Sequence, residues 1–364
     1  MLKQVRAMTH IVIIGGGIAG LSAAAHLAQI ADVTLVEAEP HLGYHASGRS
    51  AAAFIGDYGN APTCALNAAS LDHLRDIPEL MKRRVMMMVG RAGEETELIK
   101  EASGLGMWRV GLEEAQSHFP ILNPNVLSSA ALRDDAYDID TGLLMDHFRT
   151  RAKAGTATII TKAPVTALAQ HGSGWQVSAG AQVYTCDLVV NAAGAWADHI
   201  AALAGVPSIG LQPFRRSMAR IALPSQLDCS DWALIDGVGE RFYAKPDAGA
   251  LLVSPADEDP VQAQDAWAED EVLARGLAAY EEMVTEPVTR MLSNWAGLRS
   301  FVSDRTLVIG PEPDCPSFFW LAGQGGYGFQ TSFGAARLLR DRVTGTTPEL
   351  SSDAVAALSP DRFR

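Results

Sequence analysis

Cysteine is scarce in this chain: Cys64, Cys186, Cys229 and Cys315 are the only four in 364 residues. They lie far apart and form no CxxC pair, which argues against a thiolate zinc site or a redox dithiol and suits a reducing cytosol. Positive charge is also in deficit, with 29 Lys and Arg against 42 Asp and Glu, a net charge of −13. Nucleic acid and anionic membrane surfaces both need a basic field, so neither is expected as a partner. No apolar run reaches the ~18 residues that span a bilayer, so no transmembrane segment is expected. The leader Met1–Met8 has two basic residues but runs straight into an apolar stretch. Reading 11–30 as a signal peptide would consume a glycine-rich turn, so a cytoplasmic protein is expected. His41, His45, His73, His118 and His147 are scattered without ligand spacing, so no metal site is expected. Internal repeats and low-complexity tracts are absent too.

What is present describes a globular chain, 48% hydrophobic and 20% charged, long enough for two domains. The apolar residues from His10 to Ile14 lead into Gly15-Gly16-Gly17-Ile18-Ala19-Gly20, and an alanine-rich helix follows. Gly15, Gly17 and Gly20 hold the three fingerprint positions of a dinucleotide fold. The first permits the tight turn, the second lets backbone approach a pyrophosphate, and the third packs the helix on the sheet. Ile18 and Ala19 open that helix, whose N-terminal N–H groups suit phosphate. Residues 33–37 read as a second strand ending in Glu37, beside Ala38, an acid suited to a ribose hydroxyl. Ile18, Leu21, Ala25 and Ala28 predict a narrow apolar helix face.

Further along, 85–89 reads as a strand and 94–102 as a helix. A helix over 143–154 has Thr141 as its expected N-cap. Strands follow at 158–161, around the turn Gly172-Ser173-Gly174, and at 187–191, the last ending in Asn191-Ala192-Ala193-Gly194-Ala195-Trp196. Residues 218–223, 241–245 and 251–254 read as strands and 269–284 as a helix. The strand 318–322 feeds Gly323-Gln324-Gly325-Gly326-Tyr327-Gly328-Phe329-Gln330-Thr331, and a helix over 332–343 stops at Gly345. Three strand-to-glycine junctions near the start, middle and end predict one nucleotide domain built from separated segments, with a second domain inserted between them.

These segments resemble the FAD-dependent oxidoreductases of the D-amino-acid oxidase superfamily, and within it they look most like bacterial D-arginine dehydrogenases. The likeness is carried by the first glycine turn, by 43–51 (Gly-Tyr-His-Ala-Ser-Gly-Arg-Ser-Ala) and by 191–196. It continues in 210–217, 242–249, 295–302 and 324–332. The fold it implies is α/β plus α+β: a Rossmann-like FAD-binding domain of the p-hydroxybenzoate hydroxylase type with an inserted mixed-sheet substrate domain. The expected FAD-binding domain is discontinuous, 1–84, 141–210 and 295–364, and the substrate domain is 85–140 and 211–294. The resemblance implies noncovalent FAD, held also by Ser47, Gly48, Arg49, Ser50, Ala51, Ala52, Val165, Ala193, Gly194, Trp196 and Gly297. The stretch Gly325, Gly326, Tyr327, Gly328, Phe329, Gln330 and Thr331 completes that set, and His45 is placed near the ring. A flavin that accepts a hydride at N5 gains negative charge near N1, which N–H groups at the start of the last helix would stabilise.

The same resemblance makes Arg299 the grip on a substrate carboxylate, with Tyr58 and Tyr243 closing over it and Arg216 as a further pocket arginine. A planar guanidinium suits a two-oxygen partner. Gly326 would present a carbonyl to the substrate amine. Departures from the resemblance bear on the side chain. The relative's guanidinium-binding glutamate is replaced by the stretch Val85-Met86-Met87-Met88, and Ala53 stands where it has a histidine. Met86, Leu234 and Ala53 favour neutral or apolar side chains, whereas Asp236 would readmit a cationic one if it points inward. The expected reaction is oxidative deamination of a D-amino acid, with the electron acceptor open. Oxidation of a secondary amine such as sarcosine, of glycine or of a 2-hydroxy acid is the alternative. A non-catalytic FAD-binding assembly protein is a third.

Overall fold

A computed structural model describes residues 9–364; the leader Met1–Met8 lies outside the described residues. Six strands form one sheet in the order Val308–Glu312, Cys315–Ala322, Leu188–Asn191, His10–Ile14, Asp32–Val36, Ala157–Ile160. His10–Ile14 is at its centre, parallel to the strands on both sides. Its residues Ile11 to Ile14 are buried, as a strand covered on both faces requires. The three strand-to-glycine junctions follow neighbouring parallel strands, so they meet at one edge of the sheet. That edge is where open α/β sheets bind ligands.

The helix Ile18–Leu27 differs from the narrow-faced helix expected from its spacing. It is buried all round except at Ala19, because the Thr141–Ala154 and Ser332–Thr344 helices cover the side away from the sheet. Alanine and glycine make so close an approach possible. The cap of the Thr141–Ala154 helix is also corrected: Asp140, not Thr141, accepts the Leu143 N–H at 2.8 Å, and Thr141 is the first helical residue.

Val165–His171, Gly174–Ala179 and Gln182–Cys186 form a small three-stranded sheet, and a ten-stranded sheet carries the remaining strands. Across its middle run Met291–Phe301, Gln212–Ile221, Ala250–Ser254, Tyr243–Asp247, Leu234–Gly237, Met81–Arg91 and Leu127–Ile139. The period of two sorts their side chains. Met87, Val89, Ile235, Ala244, Val253 and Ala219 face a core completed by Phe119, Trp232 and the Asp270–Met283 helix. The opposite face presents Arg299, Arg216, Tyr243, Asp236, Met86 and Met88 to a cavity. No helix among the described residues is long and apolar enough to cross a membrane.

Candidate active site

Three adjoining cavities share wall residues and run from the edge of the six-stranded sheet to the face of the ten-stranded one. The first, about 360 Å³, is lined by Gly15, Gly17, Glu37, Ala38, Val165, Ala193 and Trp196. The second, about 150 Å³, shares Gly17, Ser47 and Gly194 with it and adds Ile18, Ala19 and Gly297. Gly325, Gly326, Gly328, Phe329 and Gln330 close its far wall. The third, about 450 Å³, shares Ser50, Ala51, Ala52, Ala53, Arg216, Tyr243, Arg299 and Gly326 with the second. Gly20, Gly48, Tyr327 and Thr331 stand behind these walls rather than in them.

The narrow part of the channel is built for close approach. Gly15 has φ +110°, and a Cβ on Gly20 would lie 1.8 Å from the Gly15 carbonyl oxygen. Glu37 accepts the Gly16 N–H at 2.6 Å and the Glu39 N–H at 2.8 Å. Ser47 Oγ accepts the Ile18 N–H at 2.9 Å, tying the 43–50 segment to the first helix. The helices that begin after Gly17 and Thr331 have no side-chain bond from their own N-cap residue; Ser47 takes the Ile18 N–H and Ser70 the Gly334 N–H, and the rest of each first turn suits a ligand's negative charge. An acid at the strand end, a glycine cradle and two helix N-termini at the channel fit FAD. His45 lies at the Glu37 end, 3.0 Å from Glu39 and against Trp196, and does not reach the cavity that holds Arg299.

At the junction of the second and third cavities, Arg299 donates to the Tyr58 hydroxyl at 3.4 Å. Tyr58 is held from behind: Gln330 and Asn67 donate to its carbonyl at 3.3 and 3.2 Å. Gly326 lies so close that a Cβ there would sit 3.2 Å from the Arg299 guanidinium carbon. Arg216 and its neighbour Arg215 point to opposite faces of their strand. Arg215 is buried among Asp257, Asp259 and Glu269, whereas Arg216 enters the cavity with its Nε unpartnered.

Asp236 enters the same cavity, directly across the strand pair from Tyr243 and beside Met88. Burial, reinforced by Glu240 and Glu101 and opposed by Arg216 and Arg299, pushes its carboxyl up to about 7. Glu101, Glu240, Asp57, Met88 and Lys245 are lining residues to which sequence reasoning assigned no role. Met88 was legible as the second residue on from Met86. Glu101 comes from a separate helix, and nothing local marks it. Lys245 donates to the Ala51 carbonyl at 2.7 Å and lies 2.9 Å from Asp138, which also pairs with Arg84 at 2.6 Å. This buried network fixes the 50–52 wall. Among the described residues no group of three metal-ligating side chains converges.

Comparison with known proteins agrees with this geometry. The model of the family described as FAD dependent oxidoreductase matches residues 10–342. The chain is 24% identical to FAD-dependent oxidoreductase domain-containing protein 1 of Xenopus laevis, over 92% of this chain and 78% of that protein. Its fold superimposes on L-proline dehydrogenase from P. horikoshii with a TM-score of 0.84 at 19% identity, covering 99% of this chain and 98% of that one. Glycine oxidase from Geobacillus kaustophilus gives a TM-score of 0.82 at 18% identity, with 96% and 98% covered. With a fingerprint channel that fits FAD and a family match over nearly its whole length, the chain belongs to the D-amino-acid oxidase family of FAD-dependent oxidoreductases.

Proposed function

We propose that this enzyme oxidises the α-carbon of a D-amino acid to an imino acid, which water hydrolyses to the oxo acid and ammonia. One observation carries the reading. Arg299 stands where the substrate cavity meets the cofactor channel, and its hydrogen-bond partner is the Tyr58 hydroxyl rather than a carboxylate. Beside it, Arg216 has its Nε unpartnered. Two guanidinium groups so placed call for an anion from the ligand, and a carboxylate matches their planar donors. FAD, when bound, supplies the acceptor for the hydride of the Cα–H bond. The residues of the chain bind and orient: Arg299 and Arg216 fix the carboxylate, and the Tyr58 and Tyr243 hydroxyls close over it. The Gly326 carbonyl takes the amine, and Met86, Met88 and Leu234 keep water from the side chain. The D configuration rests on the likeness of 210–217, 242–249 and 324–332 to D-arginine dehydrogenases.

The far end of the cavity supports two side-chain classes. Met86, Leu234 and Ala53 suit a neutral or apolar group. Asp236, with Glu101 and Glu240 near it, favours a second reading, a cationic side chain whose charge would draw the Asp236 proton off. The test is an anaerobic spectral titration with both enantiomers of neutral and cationic amino acids, plus glycine, sarcosine and 2-hydroxy acids. Bleaching of the flavin by D-amino acids is expected. Bleaching by sarcosine or hydroxy acids alone transfers the activity to those substrates, and an unchanged spectrum throughout ends the proposal.

A further inference from the structure

The connection from strand Ala250–Ser254 to helix Asp270–Met283 belongs to the ten-stranded sheet, yet its tip rests on the outer wall of the cofactor channel. Its root is tightly held. Asp257 accepts from the Ser217 N–H at 2.6 Å and from the Ser217 hydroxyl at 2.8 Å. Asp259 pairs with Arg215 at 3.1 Å, and Val261 donates to the Pro213 carbonyl at 3.0 Å. Beyond Val261 the side-chain attachments change character. Asp265 pairs with Arg49, and Arg49 also donates to the Ala266 carbonyl at 2.8 Å. Tyr44 donates to Asp265 at 3.3 Å, and His45 Nδ1 lies 3.9 Å from it.

Arg49 is a hub of the channel wall. It donates to the Ala296 carbonyl at 3.0 Å, its own carbonyl accepts from the Trp295 indole at 3.0 Å, and it lies two residues from Ser47. The family resemblance counts Arg49 among the residues that hold FAD; in the structure its guanidinium pairs with Asp265. The Asp265 side chain is 58% exposed and that of Arg49 16%. With its carboxylate so open to solvent the pair is weak and is screened by salt, unlike the root at Asp257, whose side chain is 5% exposed.

We propose that Asp265 is a positioning residue for the cofactor channel: through Arg49 it latches the 44–49 wall over bound FAD, and FAD leaves when this pair opens. This goes beyond the substrate reading and does not depend on it. A firm root and a tip held mainly through one exposed carboxylate, Asp265, make a latch that opens without unfolding the sheets.

The test follows FAD release from purified holoenzyme by recovery of flavin fluorescence after dilution, in 20 mM and 500 mM NaCl, for wild type and Asp265→Asn. At low salt the variant is expected to release FAD about three- to tenfold faster, in keeping with an exposed ion pair. Wild-type release is expected to speed up with salt, and release from the variant to stay nearly flat. Amide hydrogen exchange in 44–49 should rise in the variant holoenzyme, while the two apoproteins melt alike. Equal release rates with equal salt dependence overturn the proposal. So does an equal fall in melting temperature for apo and holo forms without faster release, which marks a purely structural ion pair. Substrate turnover enters none of these readings, so failure of the proposed reaction leaves the latch standing or falling by itself.

Discussion

Arg299 and Asp236 occupy one cavity with opposite charge and opposite needs. Arg299→Lys keeps the charge but loses the planar two-point contact. It should lower kcat/KM for the amino acid by about 100-fold, mostly through KM, with the flavin spectrum intact, as steady-state kinetics would measure. Asp236 makes a pH prediction. Its folded value of about 7 lies above the ordinary 3.8, so between these pH values the folded chain holds a proton that the unfolded chain has lost. Its favourable effect on stability is therefore fully present below 3.8 and is lost as pH rises through 7. Substrate-free Asp236→Asn should be more stable than wild type at pH 8, by on the order of 1–3 kcal/mol, and the gap should shrink toward pH 5. Thermal melts across that range measure it; a gap that is flat with pH contradicts the assignment.

At the scale of elements, the turn from the first strand to the first helix was legible because its reasons are local. Glycine is required at Gly15 by φ and at Gly20 by a neighbour five residues back, and both constraints lie within one short stretch. Gly20→Ala, whose Cβ would meet the Gly15 oxygen at 1.8 Å, should abolish FAD uptake and lower the melting temperature, as gel filtration with absorbance at 450 nm and calorimetry would show. Asp140→Ala should cost the Thr141–Ala154 helix about 1 kcal/mol in denaturant titration while leaving FAD binding unchanged. The helix Ala61–Arg75 and the full length of Met81–Arg91 and Leu127–Ile139 were not legible. Met81–Arg91 carries Lys82, Arg83 and Arg84 near its start, since Lys82 and Arg83 reach exposed acids outside the cavity while Arg84 bonds the half-buried Asp138. A strand whose outer residues pair with distant carboxylates carries no clear alternation, and its partner strand supplies what its own sequence does not.

For the whole molecule, the arginines of the site were legible and its acids mostly were not. Arg299 and Arg216 sit in blocks that resemble a known family, whereas Glu101, Glu240 and Asp57 reach the cavity from loops and a helix that only the completed packing brings together. Even the orientation of Asp236 needed the cross-strand register with Tyr243. The channel runs between the two sheets, so FAD should stabilise the chain as a unit. At free FAD of 100 Kd the gain should be about 2.7 kcal/mol, read from denaturation with and without added cofactor. Walls of that channel come from residues 15–19, 192–196, 324–326 and 328–330. More than 300 residues separate the first of these walls from the last, so a nascent polypeptide on the ribosome is long before the last one emerges. Chaperones therefore meet a long intermediate with an open nucleotide cleft, and a premature stop before residue 323 yields a chain with no way to become yellow.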